Sequence, residues 1–273
     1  MLKNQPVIIL GAARSGTNFL RDTLLQSNHF SSWNCDEIPA IWKYGNFNLH
    51  HDEFDNYIPN KKIVYFIKKK FLSISKGKIV LEKTCANSLR PFYVSKIFPT
   101  AKFIYIVRDG RRVVMSAEKK WKEKSNLIYL LKKLRYFPIS AIPQYVKKNL
   151  EYKRLVKSKI ILNKPWGPIY NGMIKDLQKV EIRNICANQW SKQVNKCDDF
   201  YNKNKKNVIK IYYEDLIENH INEFEKIFDF LELNFDNKKF LNLKIKQNSK
   251  LDIKFNNEIN LILNKNLKKH NYL

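Results

Sequence analysis

The chain has 273 residues, of which 44% are hydrophobic and 13% aromatic, so it can bury a sizeable core and is not a mainly disordered protein. Its 51 basic and 25 acidic residues give a net charge of +26, which favours acidic partners such as phosphorylated cofactors, nucleic acid, anionic glycans or a membrane surface. Since the lysines are scattered in twos and threes without a nucleic-acid-binding signature, we attribute most of this charge to compositional bias and expect no specific nucleic-acid partner.

Four short apolar runs are predicted to form parallel strands, because continuous apolar character suits strands that are covered on both faces. The runs are PVIIL (6–10), KIVLE (78–82), KFIYIV (102–107) and NVIKIYY (207–213). Helical patterns occupy 15–26, 86–97, 110–122 and 182–201. Strands and helices in alternation predict an α/β protein with three layers, α/β/α, and a central parallel sheet.

Two segments interrupt this alternation, residues 31–76 and residues 126–173. We interpret residues 1–273 as a single domain in which these two segments are insertions that form the substrate site or a lid. The tail from about residue 239 is rich in Asn and Lys, and it is expected to be either a helix over 257–267 or a frayed end.

The remaining composition bears on location. The four cysteines are widely spaced and form no C-x-x-C pair, which indicates a reducing compartment and no metal site. The sequence shows no signal-peptide pattern and no apolar run near the roughly 20 residues of a membrane span, so we expect a cytoplasmic protein. Residues 126–150 mix apolar and basic side chains as a membrane-surface helix does, although we favour an amphipathic lid helix.

The stretch VIILGAARSGTNFL, residues 7–20, is typical of a strand that enters a glycine turn and then a helix. Gly11 and Gly16 have the G-x-x-x-x-G spacing of a phosphate loop. Thr17 and Asn18 stand where an ATPase or GTPase has Lys followed by Ser or Thr. The loop therefore lacks the residues that meet the terminal phosphates and magnesium.

The same loop still has the properties of an anion site. Unpaired backbone N–H groups and the positive end of the helix dipole attract an anion without any lysine. Arg14 supplies a cation, Ser15, Thr17 and Asn18 add side-chain donors, and Gly16 shapes the turn. We predict a P-loop-like site for a phosphate-like group, bound without an obligatory metal.

A second motif, KFIYIVRDGRRVVMSAEKKW, covers residues 102–121. Arg108 follows the strand at its carboxyl end, where open α/β sheets bind ligands. Asp109 is placed to cap the next helix, and Ser116 lies about two turns along it. Because Arg108 and Ser116 can both reach one phosphate, this motif predicts a second anion site.

Two phosphate sites on one sheet without the P-loop lysine fit a nucleotide phosphorylated at its 5′ and 3′ positions. Here the chain resembles the sulfotransferases that use 3′-phosphoadenosine-5′-phosphosulfate (PAPS). GAARSGTNFL is similar to their 5′-phosphosulfate loop, and FIYIVRDGRRVVMS resembles their 3′-phosphate motif, with Arg108 and Ser116 at its arginine and serine. LEKTCANSLR, KPWGPIY and YYEDL follow in family order, so the resemblance covers about residues 7–233. Ala12-Ala13 and Cys85 replace the family's usual residue-proline and proline, which concerns loop shape.

The resemblance implies an in-line transfer of the sulfuryl group from PAPS to a hydroxyl or amine, with Arg14 and the loop amides stabilising the leaving phosphate. The acceptor must lose a proton, which requires a general base. Family members place a glutamate beyond the loop arginine, so Glu37 is our first choice of base and Asp36 the second. Weaker alternatives are His29, His50 and His51.

Other residues carry open interpretations. Glu82 and Lys83 are expected either to orient the acceptor or cofactor or, for Glu82, to form a structural ion pair. Trp166 and Tyr170 either stack on adenine, line the acceptor cleft or pack in the core. The acceptor is expected to be a glycan, a glycolipid or a small metabolite. The alternatives are a P-loop nucleotide kinase with a degenerate loop and a non-enzymatic polyanion-binding protein.

Overall fold

The computed structural model describes residues 5–123, 136–139, 142–158, 165–241, 243 and 255–273. Within this part of the chain the centre is a five-stranded sheet, all parallel, in the order β2-β3-β1-β4-β5. The strands are β1 Val7–Leu10, β2 Phe30–Ser31, β3 Ile79–Lys83, β4 Lys102–Val107 and β5 Val208–Tyr212. The four predicted strands are confirmed, and the two-residue edge strand β2 was not predicted.

Helices follow or connect these strands. They are α1 Thr17–Leu24, α2 Pro39–Trp42, α3 Lys61–Ser75, α4 Pro91–Ile97, α5 Gly110–Lys122, α6 Ile142–Lys157, α7 Met173–Asp176, α8 Ile182–Lys203, α9 Tyr213–Glu218, α10 His220–Phe230 and α11 Asn257–Lys269. Short 3-10 turns occupy Cys85–Leu89, Lys205–Asn207 and Asn237–Lys239. The predicted helices at 110–122 and in the tail are confirmed, whereas the one predicted over 86–97 is broken before Pro91, whose ring cannot continue a helix from the preceding turn.

The sheet is covered on both faces, as the continuous apolar strands predicted. Val7 and Ile9 of β1 pack on one side with α1 and α10, while Ile8 and Leu10 pack on the other with α3, α4 and α8. All four of these side chains are fully buried. Since successive side chains of a strand point to opposite faces, β1 supplies both cores. This arrangement confirms the three-layer α/β/α architecture.

The two inserted segments hold structure of their own. Segment 31–76 contains α3, in which the Asn60 side chain accepts a hydrogen bond from Ile63 N at 3.0 Å and caps the helix. Ile63, Ile67 and Phe71 lie on one face of α3 and pack into the core.

Of segment 126–173, residues 126–135, 140–141 and 159–164 lie outside the described residues. No helix among the described residues is long and apolar enough to cross a membrane.

Ion pairs and hydrogen bonds hold the carboxyl-terminal segment against α8. The His270 Nε2 and Lys269 Nζ atoms lie 3.0 Å and 2.7 Å from Asp198 Oδ2. Burial alone would raise the pKa of Asp198, yet the hydrogen bonds from His270 and Lys269 hold that pKa below its ordinary value. Two residues beyond His270, Tyr272 OH donates to Glu214 Oε2 at 2.6 Å. The tail predicted as helix or frayed end is therefore ordered over these residues.

The contact between α5 and α8 depends on a glycine. An ideal Cβ on Gly110 would lie 2.8 Å from three atoms of the Trp190 indole, which is 1% exposed and cannot move aside. We expect Gly110→Ala to lower the free energy of unfolding by about 1–3 kcal/mol, because overpacking outweighs the gain in helix propensity of at most about 1 kcal/mol. Urea denaturation measures this change.

The matched control is the same substitution in a Trp190→Leu background. With the indole removed, Gly110→Ala should cost at least about 1 kcal/mol less, so a double-mutant cycle should give a clear coupling energy. An equal cost in both backgrounds would show that the Gly110–Trp190 contact is not the cause.

Candidate active site

The loop that follows β1 adopts backbone conformations that few residues tolerate. Gly16, the N-cap of α1, has φ 89°, and a Cβ there would lie 2.2 Å from the ring of Tyr213. Arg14 has φ 77°, a left-handed conformation that costs a side-chain-bearing residue about 1–2 kcal/mol. As the N-cap, Gly16 has no side chain to bond the first amide groups of α1, and such groups at a helix start attract an anion.

The loop and the second motif meet in the structure. Arg14 Nε donates to Ser116 Oγ at 3.0 Å, and Arg108 Nη1 donates to the Arg14 carbonyl oxygen at 3.1 Å. The Arg108 guanidinium stacks on the Tyr213 ring, 4.1 Å from its centroid. The same ring lies against Gly16. The two motifs that the sequence placed at one edge of the sheet are therefore in direct contact.

The charge and hydrogen bonding of this contact suit an anion. Burial, together with the neighbouring cations Arg112 and Arg14, lowers the pKa of Arg108 below its ordinary value. Ser15 is 1% exposed, and its Oγ has no hydrogen-bond partner among the described residues. A buried hydroxyl without a partner is costly, and so is the partly buried charge of Arg108. An anion that accepts from Ser15 and neutralises the guanidinium groups would remove both costs.

The other two predicted loop residues lie on different sides of the first turn of α1. Thr17 is buried, and its Oγ1 lies 3.5 Å from the sulfur of Cys85. Asn18 is exposed on the outside of the turn. Binding of a phosphate group by Thr17 and Asn18 stays a prediction.

The predicted base lies beside the same turn. Lys83 Nζ is 2.8 Å from Glu37 Oε1, and the backbone N–H of Cys85 donates to that oxygen at 3.4 Å. Burial alone would lower the pKa of Lys83, yet the carboxylate of Glu37 raises it above the ordinary value, with Asp36 contributing. Because Cys85 contacts both Glu37 and Thr17, the structure brings Glu37 next to the start of α1.

The histidine alternatives lie elsewhere. The backbone carbonyl of His29 accepts from Ile79 N at the start of β3, which is the amino-terminal edge of the sheet and opposite to the phosphate loop. His29 therefore lies at the opposite edge of the sheet from the loop and Glu37. His50 accepts from Lys148 Nζ through its backbone carbonyl at 3.4 Å, and the His51 ring lies among the charges of a separate cluster around Asp52.

Glu82 has a structural role. It is fully buried, and its two carboxylate oxygens accept from Trp42 Nε1 at 3.0 Å and Asn87 Nδ2 at 3.1 Å. Ser88, next to Asn87, donates to the Gly11 carbonyl at 2.9 Å and accepts from Gly11 N at 2.8 Å. Glu82 therefore fixes the turn that pins the phosphate loop, and it forms a hydrogen-bonded network in place of the ion pair we weighed.

Tyr170 does not stack on a nucleotide. It is 1% exposed, packs in the core beside Met173, and donates its hydroxyl to Asp176. Its ring therefore offers no face to adenine or to an acceptor. Trp166 is half-buried against the edge of Trp121, with ring centroids 6.4 Å apart. Its stacking on adenine or lining of the acceptor cleft stays a prediction.

An ion cluster that sequence reasoning missed joins segment 31–76 to residues 165–170 of the KPWGPIY stretch, which we call the W-G-P loop. Buried Asp52 lies 3.0 Å from Arg90 Nη1 and 3.6 Å from Lys43 Nζ, and its second oxygen accepts from Ile169 N at 2.9 Å. Burial, with help from the nearby charge of Lys148, lowers the pKa of Lys43 to about 8. No spacing in the sequence links these residues, since Asp52 and Ile169 are far apart in the chain.

Comparisons with known proteins agree with this geometry. The model of the sulfotransferase domain family matches residues 4–270, so the chain belongs to that family. No curated protein sequence matches it significantly. Among the described residues, no group of three His, Cys, Asp or Glu side chains could hold a metal ion.

Two solved structures share the fold. The sulfotransferase domain of the Synechococcus PCC 7002 olefin synthase is 13% identical, with a TM-score of 0.53 over 96% of this chain and 94% of that one. The sulfotransferase of Alicyclobacillus acidocaldarius is 12% identical, with a TM-score of 0.50 over 97% of this chain and 92% of that one. At such low identity these matches describe the fold alone.

Burial of Glu82 gives the protein a testable pH dependence. Burial raises the pKa of this carboxyl to about 7 from an ordinary value of 4.5. Between these two values the folded protein holds a proton that the unfolded chain has released, so stability falls as the pH rises through this window and then levels off. We expect the loss to be about 3 kcal/mol.

Glu82→Gln removes this titration, and the free energy of unfolding should then change by roughly 2–3 kcal/mol less between pH 5 and pH 8 than in the parent protein. Denaturant titrations at the two pH values test this difference. Glu258→Gln, at an exposed site in the first turn of α11, is the control and should leave the slope unaltered. An unchanged slope in Glu82→Gln would contradict the assignment.

Proposed function

We propose that the protein transfers a sulfuryl group from PAPS to a hydroxyl or amine of an acceptor molecule. The observation that carries this proposal is the contact of Arg14, Ser116 and Arg108 at the carboxyl edge of the sheet, beside the unpartnered hydroxyl of Ser15. Membership of the sulfotransferase domain family supports the reaction type.

Each motif takes one end of the nucleotide in this proposal. The amides of the loop, with Ser15 and Arg14, bind the 5′-phosphosulfate, and Arg108 with Ser116 binds the 3′-phosphate. The bond from Arg14 Nε to Ser116 orients the guanidinium between the two groups. PAPS supplies the activated sulfuryl group. Arg14 and the loop amides stabilise the charge that develops on the departing phosphate, as preorganised donors do in an oxyanion hole.

The proton of the acceptor passes to Glu37. Its side chain keeps 23% of its surface exposed, so the carboxylate is accessible, while Lys83 beneath it is 2% exposed. The charged ammonium of Lys83 and the N–H of Cys85 hold Glu37 Oε1 in a fixed position. A base held in place at hydrogen-bond distance from the acceptor contributes typically 100- to 10,000-fold to a rate.

The acceptor is proposed to be a glycan, a glycolipid or a small metabolite. Segment 31–76, which carries Glu37, is tied through Asp52 to the backbone of Ile169 in the W-G-P loop. The hydrogen bonds of Asp52 therefore hold these two parts of the chain together. A screen of candidate acceptors with labelled PAPS identifies the compound that is sulfated.

Nucleotide binding is the most direct test. Titration calorimetry with adenosine 3′,5′-bisphosphate in the presence of EDTA should show binding, and Arg14→Ala and Arg108→Ala should each weaken it by roughly tenfold or more through the loss of charge-assisted hydrogen bonds. Arg154→Ala, which removes the same charge from an exposed site on α6, should bind like the parent protein.

Three outcomes would contradict this proposal. Failure to bind the bisphosphate would exclude the two-phosphate site. Binding that requires magnesium would favour the nucleotide kinase. Salt-sensitive binding to polyanions with no response to the bisphosphate would favour the polyanion-binding protein.

The base is tested by a pair of neighbouring amide substitutions. We expect Glu37→Gln to lower kcat by about 100-fold or more, because the amide cannot accept the acceptor's proton. The affinity for adenosine 3′,5′-bisphosphate should change less than threefold, since in this proposal Glu37 acts on the acceptor and binds neither phosphate. Asp36→Asn is the control and should retain most activity. If Asp36→Asn loses turnover and Glu37→Gln keeps it, Asp36 is the base.

A further inference from the structure

Helix α6 presents an exposed stripe of apolar side chains. Ile142, Val146 and Leu150 are four residues apart, so they lie along one face, and they are 45%, 49% and 59% exposed. Ile139, just before the helix, is 83% exposed. We call these four residues the apolar stripe. Exposed apolar side chains that occur singly need no explanation, whereas three along one helix face, with a fourth just before the helix, mark an interaction surface.

Contacts on the opposite face of α6 hold the helix so that the apolar stripe stays exposed. Tyr152 is buried, and Leu155 and Val156 pack against the core between α5 and α8. On the same inner face, Lys148 Nζ donates to the His50 carbonyl at 3.4 Å. Because the inner face already makes these contacts, the helix cannot rotate to bury the stripe without losing them.

Basic residues surround the apolar stripe. Four exposed cations lie on α6, against one exposed acid, Glu151. The cations are Lys147, Lys153, Arg154 and Lys157. Tyr145 is 47% exposed at the side of the stripe and contacts the Phe137 ring edge to face, at 5.0 Å between centroids. Aromatic rings and long cationic side chains beside an apolar face are the composition of helices that lie in a membrane interface.

We propose that α6 docks the protein onto an anionic lipid surface, with the apolar stripe inserted among the acyl chains and the surrounding cations at the level of the phosphate groups. Charge decides between this occupant and a second copy of the chain. A second copy would bring another +26 charges to the contact, whereas an anionic bilayer neutralises them. A purely ionic partner such as nucleic acid offers no apolar surface against which the stripe could be buried. This docking is independent of the proposed transfer reaction.

Vesicle co-sedimentation tests the docking with the full chain. We expect the protein to bind vesicles of phosphatidylcholine that contain ~30% phosphatidylglycerol, to bind pure phosphatidylcholine much more weakly, and to lose most binding at ~0.5 M NaCl. Val146→Asn combined with Leu150→Gln should lower the partition coefficient by roughly tenfold or more, because two apolar side chains no longer insert.

The matched control removes two exposed leucines elsewhere, Leu72→Gln on α3 with Leu261→Gln on α11, which are 69% and 76% exposed. This variant should bind vesicles within twofold of the parent protein, and equal thermal melting of both variants shows that each is folded. Equal vesicle binding by the two variants would overturn the role of the stripe. Absence of binding to the anionic vesicles, or a concentration-dependent dimer in sedimentation that only the stripe variant abolishes, would overturn the lipid surface as its occupant.

Discussion

Parallel pairing of β1 with β3 on one side and β4 on the other is the constraint on which the site depends. Ile9 pairs with Lys83 and with Ile104, so β1 and β3 end within one residue of each other, and β4 continues beside them to Val107. The phosphate loop, the Lys83–Cys85 segment and Arg108 all follow these ends, at the edge where α/β sheets bind ligands. Without this register the two motifs could not meet.

The conformation of the phosphate loop is costly and is stabilised by its neighbours. Arg14 has a left-handed backbone and Ser15 has a buried hydroxyl without a partner among the described residues. Opposing these costs, Ser88 bonds both backbone groups of Gly11, and Arg108 bonds the Arg14 carbonyl. Strained backbone that the surrounding structure maintains is characteristic of functional sites. The backbone strain of the loop and the positive charge of Arg14 and Arg108 thus both point to a functional anion site at this edge of the sheet.

Two consecutive acid and base residues of β3 illustrate how position decides a role. Side chains alternate along a strand, so Glu82 and Lys83 point to opposite sides. Glu82 lies in a closed network with Trp42 and Asn87, while Lys83 reaches Glu37 at the edge of the site. The first therefore orders the scaffold and the second positions the proposed base, a division that their adjacency in sequence does not reveal.

Local patterns in the sequence determined four strands, most of the helices that follow them, and the loop with its glycines, because hydrophobic periodicity and turn chemistry act over a few residues. The same patterns correctly placed Arg108 after β4 and Ser116 on α5. Only tertiary structure decided the rest: the edge strand β2 is too short to leave a pattern, Tyr170 is buried by distant residues, and Ser88 acts on Gly11 across 77 positions. The contact of Arg14 with Ser116, 102 positions apart, forms because parallel strands bring their carboxyl ends together.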